Sequence, residues 1–195
     1  MARTRSASAH QKVLDATFAL MAERGVDATS MDAIAEASGV SKATIYKHWA
    51  DKDALLLEMM AQASGLHARP KFDSGNTRAD MVAVLAYRAP ERAEMRERIM
   101  PQFLAYSARN PTFGQAWRNI AMDPPRRELT RLLREGIRKG ELSPRIDLDL
   151  SLTMLLGPII YWHVFLNQKK SIGNPKELAE GVVDAFWRAF HRTTL

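Results

Sequence analysis

The sequence predicts an all-α protein: an N-terminal three-helix helix-turn-helix domain, followed by a larger C-terminal helical domain. Three observations carry that expectation. Apolar residues recur at helical spacing through almost all of the 195-residue chain, as amphipathic helices require. No stretch of useful length alternates apolar and polar residues, so strands are not expected. Capping residues, glycines and prolines punctuate the periodic segments.

The elements follow in order. Val13, Leu14, Thr17, Phe18 and Met21 share one face of a first helix that Gly25 ends, because glycine takes the left-handed conformation that closes a helix. Ser30 caps a short helix over 31–37, with Ile34 and Ala35 inward, and Ser38-Gly39-Val40 forms a tight turn. Ser41 caps a second short helix, Lys42 to Trp49, since its hydroxyl accepts an otherwise unpaired N–H. Asp51 caps a third, starting at Lys52 and burying Leu55, Leu56, Met59 and Met60. Periodicity fails over 66–76, which reads as a loop. Helices are expected at 77–88, 91–108 and 111–138, the last bent at Pro124-Pro125, where the helix loses hydrogen bonds. After a connection at 140–147 come helices at 148–167 and 175–192, the first kinked at Gly157-Pro158.

Composition narrows the function classes. The chain is 46% hydrophobic and 26% charged, enough apolar material for a sizeable core. It has no cysteine, which excludes disulfide scaffolds, thiolate zinc sites and cysteine nucleophiles and fits a cytoplasmic protein. Residues 1–11 are polar and no export signal follows. The longest apolar-rich run, 154–166, contains Gly157, Pro158 and His163 and falls short of the about 20 residues that span a bilayer. No HExxH pattern and no glycine-rich phosphate loop occur, and the five histidines are dispersed. Neither an enzyme nor a metal or cofactor is therefore expected. The net charge of +6 falls wholly beyond residue 55, because the basic and acidic residues of 1–55 cancel. Nucleic-acid binding must accordingly rest on motif and geometry.

The motif is the helix-turn-helix itself. Gly39 allows the sharp bend, Ala35, Val40 and Ile45 are small or apolar inward residues, and Lys42, Thr44, Tyr46, Lys47 and His48 form a polar outer face. The stretch Met31-Asp-Ala-Ile-Ala-Glu-Ala-Ser-Gly-Val-Ser-Lys-Ala-Thr-Ile-Tyr-Lys-His-Trp, followed by Asp51-Lys52-Asp53-Ala54-Leu55, resembles the DNA-binding domain of TetR/AcrR-family transcriptional regulators over about residues 10–60. The resemblance implies that Lys42 to His48 enters the major groove. Lys42, Ala43 and Lys47 then face base edges. Thr44, Tyr46 and His48 contact phosphates, with Tyr46 also in reach of a base, and Lys52 reaches the DNA backbone. Ser30 presents its helix N-terminus to a phosphate. Trp49 stands where the family more often has phenylalanine and should still pack as a core aromatic. Arg3 and Arg5 suit either a basic arm or a solvated tail.

The same resemblance divides the chain into a DNA-binding domain, 1–56, and an effector-binding and dimerisation domain, 57–195. In helix 148–167 apolar residues recur at 148, 152, 155, 159, 162 and 166. The last helix carries Leu178, Val182, Ala185, Phe186 and Ala189 on one face, with Val183, Trp187 and Phe190 beside it. That is more than one buried side and suggests a two-fold four-helix interface, with Leu152, Leu155, Ile159, Val182 and Phe186 in it. An internal helix pair in a monomer is the alternative. Phe103, Ser107, Phe113, Trp117, Tyr161 and Trp162 are candidates to line an effector site, with Tyr106 and His163 nearby and Met81 and Met100 as fillers. Ordinary core packing competes for each. The stripe Arg127, Arg131, Arg134 and Arg138, broken by Glu128 and Glu135, reads as a solvated face. The expected function is a ligand-responsive regulator, a repressor by the resemblance. It would bind palindromic double-stranded operator DNA as a homodimer and be released by a small-molecule effector. An interaction module without a ligand cavity is the competing reading.

Overall fold

Capping chemistry sets most helix boundaries. The computed structural model describes residues 2–63, 65, 69–87, 93–166 and 174–191, with side chains at all of these but 2–6, 63, 93–98, 163 and 164. Among them lie ten α-helices and no β-strand: α1 (Ala2–Ala28), α2 (Met31–Ser38), α3 (Lys42–His48), α4 (Lys52–Ala63), α5 (Thr77–Ala86), α6 (Ala93–Arg109), α7 (Pro111–Ala121), α8 (Asp123–Arg138), α9 (Leu148–Tyr161) and α10 (Pro175–Phe190). Side chains of Ser30, Ser41, Asn76, Asp147 and Asn174 accept hydrogen bonds from first-turn backbone N–H groups. These are donors that a helix start otherwise leaves unpaired.

Three boundaries differ from the sequence reading. Helix α1 begins at Ala2, well before its apolar face, and is interrupted at Gly25 with φ 84°. The helix expected over 111–138 is two helices parted at Met122. Its prolines are not a mid-helix bend but open α8, where a missing N–H costs nothing. Helix α9 runs through Gly157-Pro158 and passes into a π-helical turn, Trp162–Leu166. A wider turn of this kind takes up backbone mismatch inside a helix.

The chain forms two compact units, α1–α4 with α6 and α7, and α5 with α8–α10. Packing thus groups α6 and α7 with the N-terminal helices, across the sequence boundary at 56/57. In the first unit Leu14, Met21, Ile34, Ile45, Leu55, Leu56, Met59 and Phe103 are fully or almost fully buried. Helices α6 and α7 approach closely because residue 114 is glycine: a Cβ there would lie 2.7 Å from the Ser107 carbonyl oxygen. The second unit's core joins Phe72, Met81, Leu85, Leu129, Leu132, Leu133, Leu142, Leu155, Val183 and Phe186.

Candidate nucleic-acid interface

Helices α2 and α3 are each two turns long, too short to be stable alone, so local bonds and packing hold them. Gly39 takes φ 65° and donates its N–H to the Glu36 carbonyl at 3.3 Å. The Val40 N–H bonds Ser38 Oγ at 3.3 Å. Ser41 Oγ accepts from the Thr44 N–H at 3.3 Å and lies 2.9 Å from Thr44 Oγ1. Ile34, Ile45 and Trp49 are buried. Because Ile45 and Trp49 are four residues apart, they fix one side of α3 against the unit and leave the other outward.

That outward side holds the residues expected to face DNA. Lys42, Ala43, Tyr46, Lys47 and His48 are exposed, Tyr46 at 50%. Lys42 Nζ lies 2.6 Å from Asp32 Oδ1, both side chains more than half exposed. An ion pair so exposed holds the lysine weakly and leaves it open to exchange for a phosphate or base edge. Thr44 is half-buried, and Ser30 sits exposed at the start of α2. The arm reading of Arg3 and Arg5 falls on side chains outside the described residues.

Lys52 is placed otherwise than expected. Its ammonium turns inward, donating to the Val26 carbonyl at 3.0 Å and lying 5.5 Å from the Tyr106 ring centroid. The cause is electrostatic: Val26 lies in the last turn of α1, where the helix dipole attracts a cation, and its carbonyl accepts both the Thr29 N–H at 3.3 Å and the Lys52 ammonium. Around it, the Tyr106 hydroxyl donates to Asp53 Oδ1 at 2.8 Å, and Arg109 Nη2 lies 2.6 Å from Asp27 Oδ2. Helix α6 is thereby tied to both α1 and α4. Burial first, then the hydrogen bond to Asp53, pushes the Tyr106 hydroxyl up to about 12.

Sequence reasoning missed Tyr106–Asp53, and also Glu58, which binds both Trp49 and His10. Tyr106–Asp53 and His10–Glu58 are far apart in sequence, and Trp49–Glu58, though nearer, joins two different helices, so none of them follows a helical periodicity. The one available signal was the unusual Trp49, whose N–H needs an acceptor when buried.

The C-terminal candidates are distributed differently from expectation. Leu152, Leu155, Ile159 and Phe186 are at most 7% exposed and belong to their own unit's core, although Phe186 also borders the groove between α9 and α10. Val182 instead lines an open groove of about 670 Å³ between α9 and α10, with Met154, Pro158, Leu178, Gly181 and Ala185. Both helices are apolar on two sides, and four of the five residues expected at the interface lie on the side that faces inward. Of the effector candidates, Phe103, Ser107, Phe113 and Trp117 lie in the first unit and Tyr161 and Trp162 in the second. Phe103, Phe113, Trp117 and Trp162 are buried, Ser107 is half-buried, and Tyr161 is 55% exposed. The His163 side chain lies outside the described residues. Among the described residues no group of three or more acidic or histidine side chains is placed to hold a metal, and no helix is long and apolar enough to cross a membrane. In the arginine stripe, Arg131 pairs with Glu128 and Glu135.

Comparison with known proteins agrees with this geometry. Residues 13–59 match the model of bacterial regulatory proteins, tetR family, and residues 72–187 that of the tetracyclin repressor-like C-terminal domain. The HTH-type transcriptional regulator YdeS of Bacillus subtilis is 30% identical over 82% of this chain and 80% of its own. The DNA-binding transcriptional repressor TetR of Mycobacteroides abscessus is 24% identical over 75% of each. Two solved structures share the fold. The transcriptional regulator FadR of Bacillus subtilis, in complex with stearoyl-CoA, has a TM-score of 0.66 at 18% identity, covering 90% of this chain and 96% of that one. A regulator from Saccharomonospora viridis, in complex with choline, has a TM-score of 0.69 at 21% identity, covering 96% and 100%. With both parts of the chain matched and a bacterial regulator 30% identical across four-fifths of it, the chain belongs to the TetR family of transcriptional regulators.

Proposed function

We propose that this chain is a cytoplasmic, ligand-responsive repressor that binds a palindromic operator as a homodimer and is released by a small-molecule effector. Residues 1–56 read DNA, and residues 57–195 take the effector and dimerise. The observation that carries this reading is α3, a helix seated by Ile45 and Trp49 that presents Lys42, Ala43, Tyr46, Lys47 and His48 outward. Lys42, Ala43 and Lys47 read base edges, and Thr44, Tyr46 and His48 contact phosphates, with Ser30 at the N-terminus of α2. For Lys52 to reach the DNA backbone it must first leave the Val26 carbonyl.

The dimer surface is assigned to the open apolar side of α9 and α10. There Leu150, Met154, Ile160 and Tyr161 are exposed and Gly181 lies in the groove. At both Gly157 and Gly181 an added Cβ would meet nothing, which leaves room for a close-packed partner helix. The effector reading draws support from the first unit. The Trp117 Nε1–H and Gln102 Oε1 are buried without a hydrogen-bond partner among the described residues. Buried polar groups are ordinarily paired, and a ligand that offers an acceptor to the indole or a donor to the amide oxygen would complete that group. Phe103, Ser107, Phe113 and Trp117 remain the candidate lining within the first unit, which suits a moderately apolar molecule, and Tyr161 and Trp162 remain separate candidates in the second. Relatives of the fold solved with stearoyl-CoA and choline differ too much in ligand chemistry to narrow it further.

The test couples mass to binding. Two chains should be found on each bound duplex, and one chain per duplex would end the dimer reading. Compounds that raise the melting temperature, as ligands of the native state do, should lower DNA affinity by the same linkage. Compounds that stabilise the chain and leave DNA affinity untouched would end the release reading.

A further inference from the structure

One carboxylate joins three helices behind the DNA-facing surface. Trp49 ends α3, its ring 3% exposed. The Trp49 Nε1–H donates to Glu58 Oε2 at 2.7 Å, from the middle of α4. The other oxygen, Glu58 Oε1, lies 2.6 Å from His10 Nε2 on α1. The His10 ring stacks on the Trp49 ring, with centroids 4.5 Å apart and planes at 29°, which closes the triangle. His48, the last residue of α3, stands its ring edge against this assembly, 5.4 Å from His10 and 5.6 Å from Trp49 between centroids.

An aromatic plug alone does not require this arrangement. Phenylalanine at 49 would fill the same apolar space but offer Glu58 no donor. The indole N–H adds a direction: it fixes the rotation of the ring, and the ring is the C-terminal anchor of a seven-residue helix. Helix α3 has too few internal hydrogen bonds to hold its own pose, so its seat is set by what grips its ends. Ser41 grips the N-terminal end, and Glu58 acts on the other through Trp49.

We infer that Glu58 is a positioning residue for DNA binding, acting through the Trp49 indole and His10 to hold the C-terminal end of α3, and the aim of His48, in the DNA-reading pose. The inference rests on the reading of α3 as the helix that enters DNA. It assigns Glu58, His10 and the Trp49 N–H a role in affinity although none of them is on the DNA-facing side.

The experiment uses the full chain and a duplex enriched from a random DNA pool by the wild-type chain. Trp49→Phe, Glu58→Gln and the double variant are compared by DNA affinity, well below each melting midpoint, so that every chain measured is folded. Each single variant should weaken binding by about three- to ten-fold, the scale of a charge-assisted hydrogen bond partly expressed in binding. The double variant should be no weaker than the weaker single, because the two residues act as a unit. A role confined to stability would shift melting midpoints and leave these affinities alone. Folded variants that bind like wild type, or losses that multiply in the double variant, would overturn the inference. Should Trp49→Phe fail to fold, Glu58→Gln against His10→Phe carries the same comparison. A wild-type chain that enriches no duplex would instead count against the reading of α3 itself, so the two failures are distinguishable.

Discussion

Removing one oxygen from Tyr106 measures how firmly helix α6 is tied to α4. Tyr106→Phe keeps the ring, its edge contact with Phe113 at 4.9 Å between centroids, and the Lys52 ammonium 5.5 Å above it. What is lost is the 2.8 Å hydrogen bond to Asp53. Such a bond to a charged acceptor contributes about 1.5–3 kcal/mol net when fully buried. Tyr106 and Asp53 are only half-buried, so water replaces the hydroxyl at the carboxylate, and a loss of about 1 kcal/mol is expected. In a chain of this size that corresponds to a melting midpoint lower by about 2–4 °C. The pH dependence sharpens the test. An unfolded chain releases the tyrosine proton near 10, whereas in the folded chain burial and the Asp53 bond hold it to about 12. The stabilising contribution is therefore intact below pH 10 and is lost as pH rises from 10 to 12. Melting curves at pH 8 should separate the two proteins, and the gap should narrow through the alkaline range. Equal midpoints at pH 8, or a gap unchanged through pH 12, would refute the reasoning.

Other substitutions probe separate parts of the account. Gly114→Ala places a Cβ 2.7 Å from a backbone oxygen that cannot rotate away. The overpacking cost of about 1–3 kcal/mol should exceed the about 1 kcal/mol gained in helix propensity, and urea unfolding should show a net loss; a stabilised variant would contradict the close α6–α7 approach. Lys47→Ala should relax preference at one base position per half-site, by about 1–3 kcal/mol, in a competition assay across single-base operator variants. A loss uniform over all positions with a reduced salt slope would instead make Lys47 a phosphate contact. Ala185→Glu places a charge in the α9–α10 groove and should convert a dimer to monomer by light scattering with secondary structure retained; an unchanged mass would remove that groove from the interface.

The helix-turn-helix was legible because its signals are local. The cap at Ser41, the left-handed Gly39 and the inward pair Ile45 and Trp49 all act within a few residues, and the sequence reading of 31–49 agrees with the structure closely. Local signals also misled. Pro124-Pro125 reads as an interruption, yet proline is tolerated in a first turn, and the chain uses it to start α8. The polar residues before Val13 show no apolar face, yet they are helical. On α9 and α10 two apolar sides compete, and periodicity cannot say which meets the core. Leu155 and Phe186 went inward, leaving Met154 and Ala185 at the surface. Side-chain bonds over long separations were beyond reach. Tyr106 finds Asp53 across 53 residues and His10 finds Glu58 across 48, and only the fold brings these partners together. Lys52 illustrates the same limit: resemblance supplied a DNA contact, and packing supplied the Val26 carbonyl.

The most direct measurement is selection of bound duplexes from a random DNA pool by the full chain, followed by affinity across a salt series. The account predicts an enriched site with two-fold symmetry, its half-sites about 34 Å apart along the duplex, bound about a thousand-fold or more tighter than random DNA at the same salt. Weak binding that collapses with salt and enriches no symmetric site would contradict it.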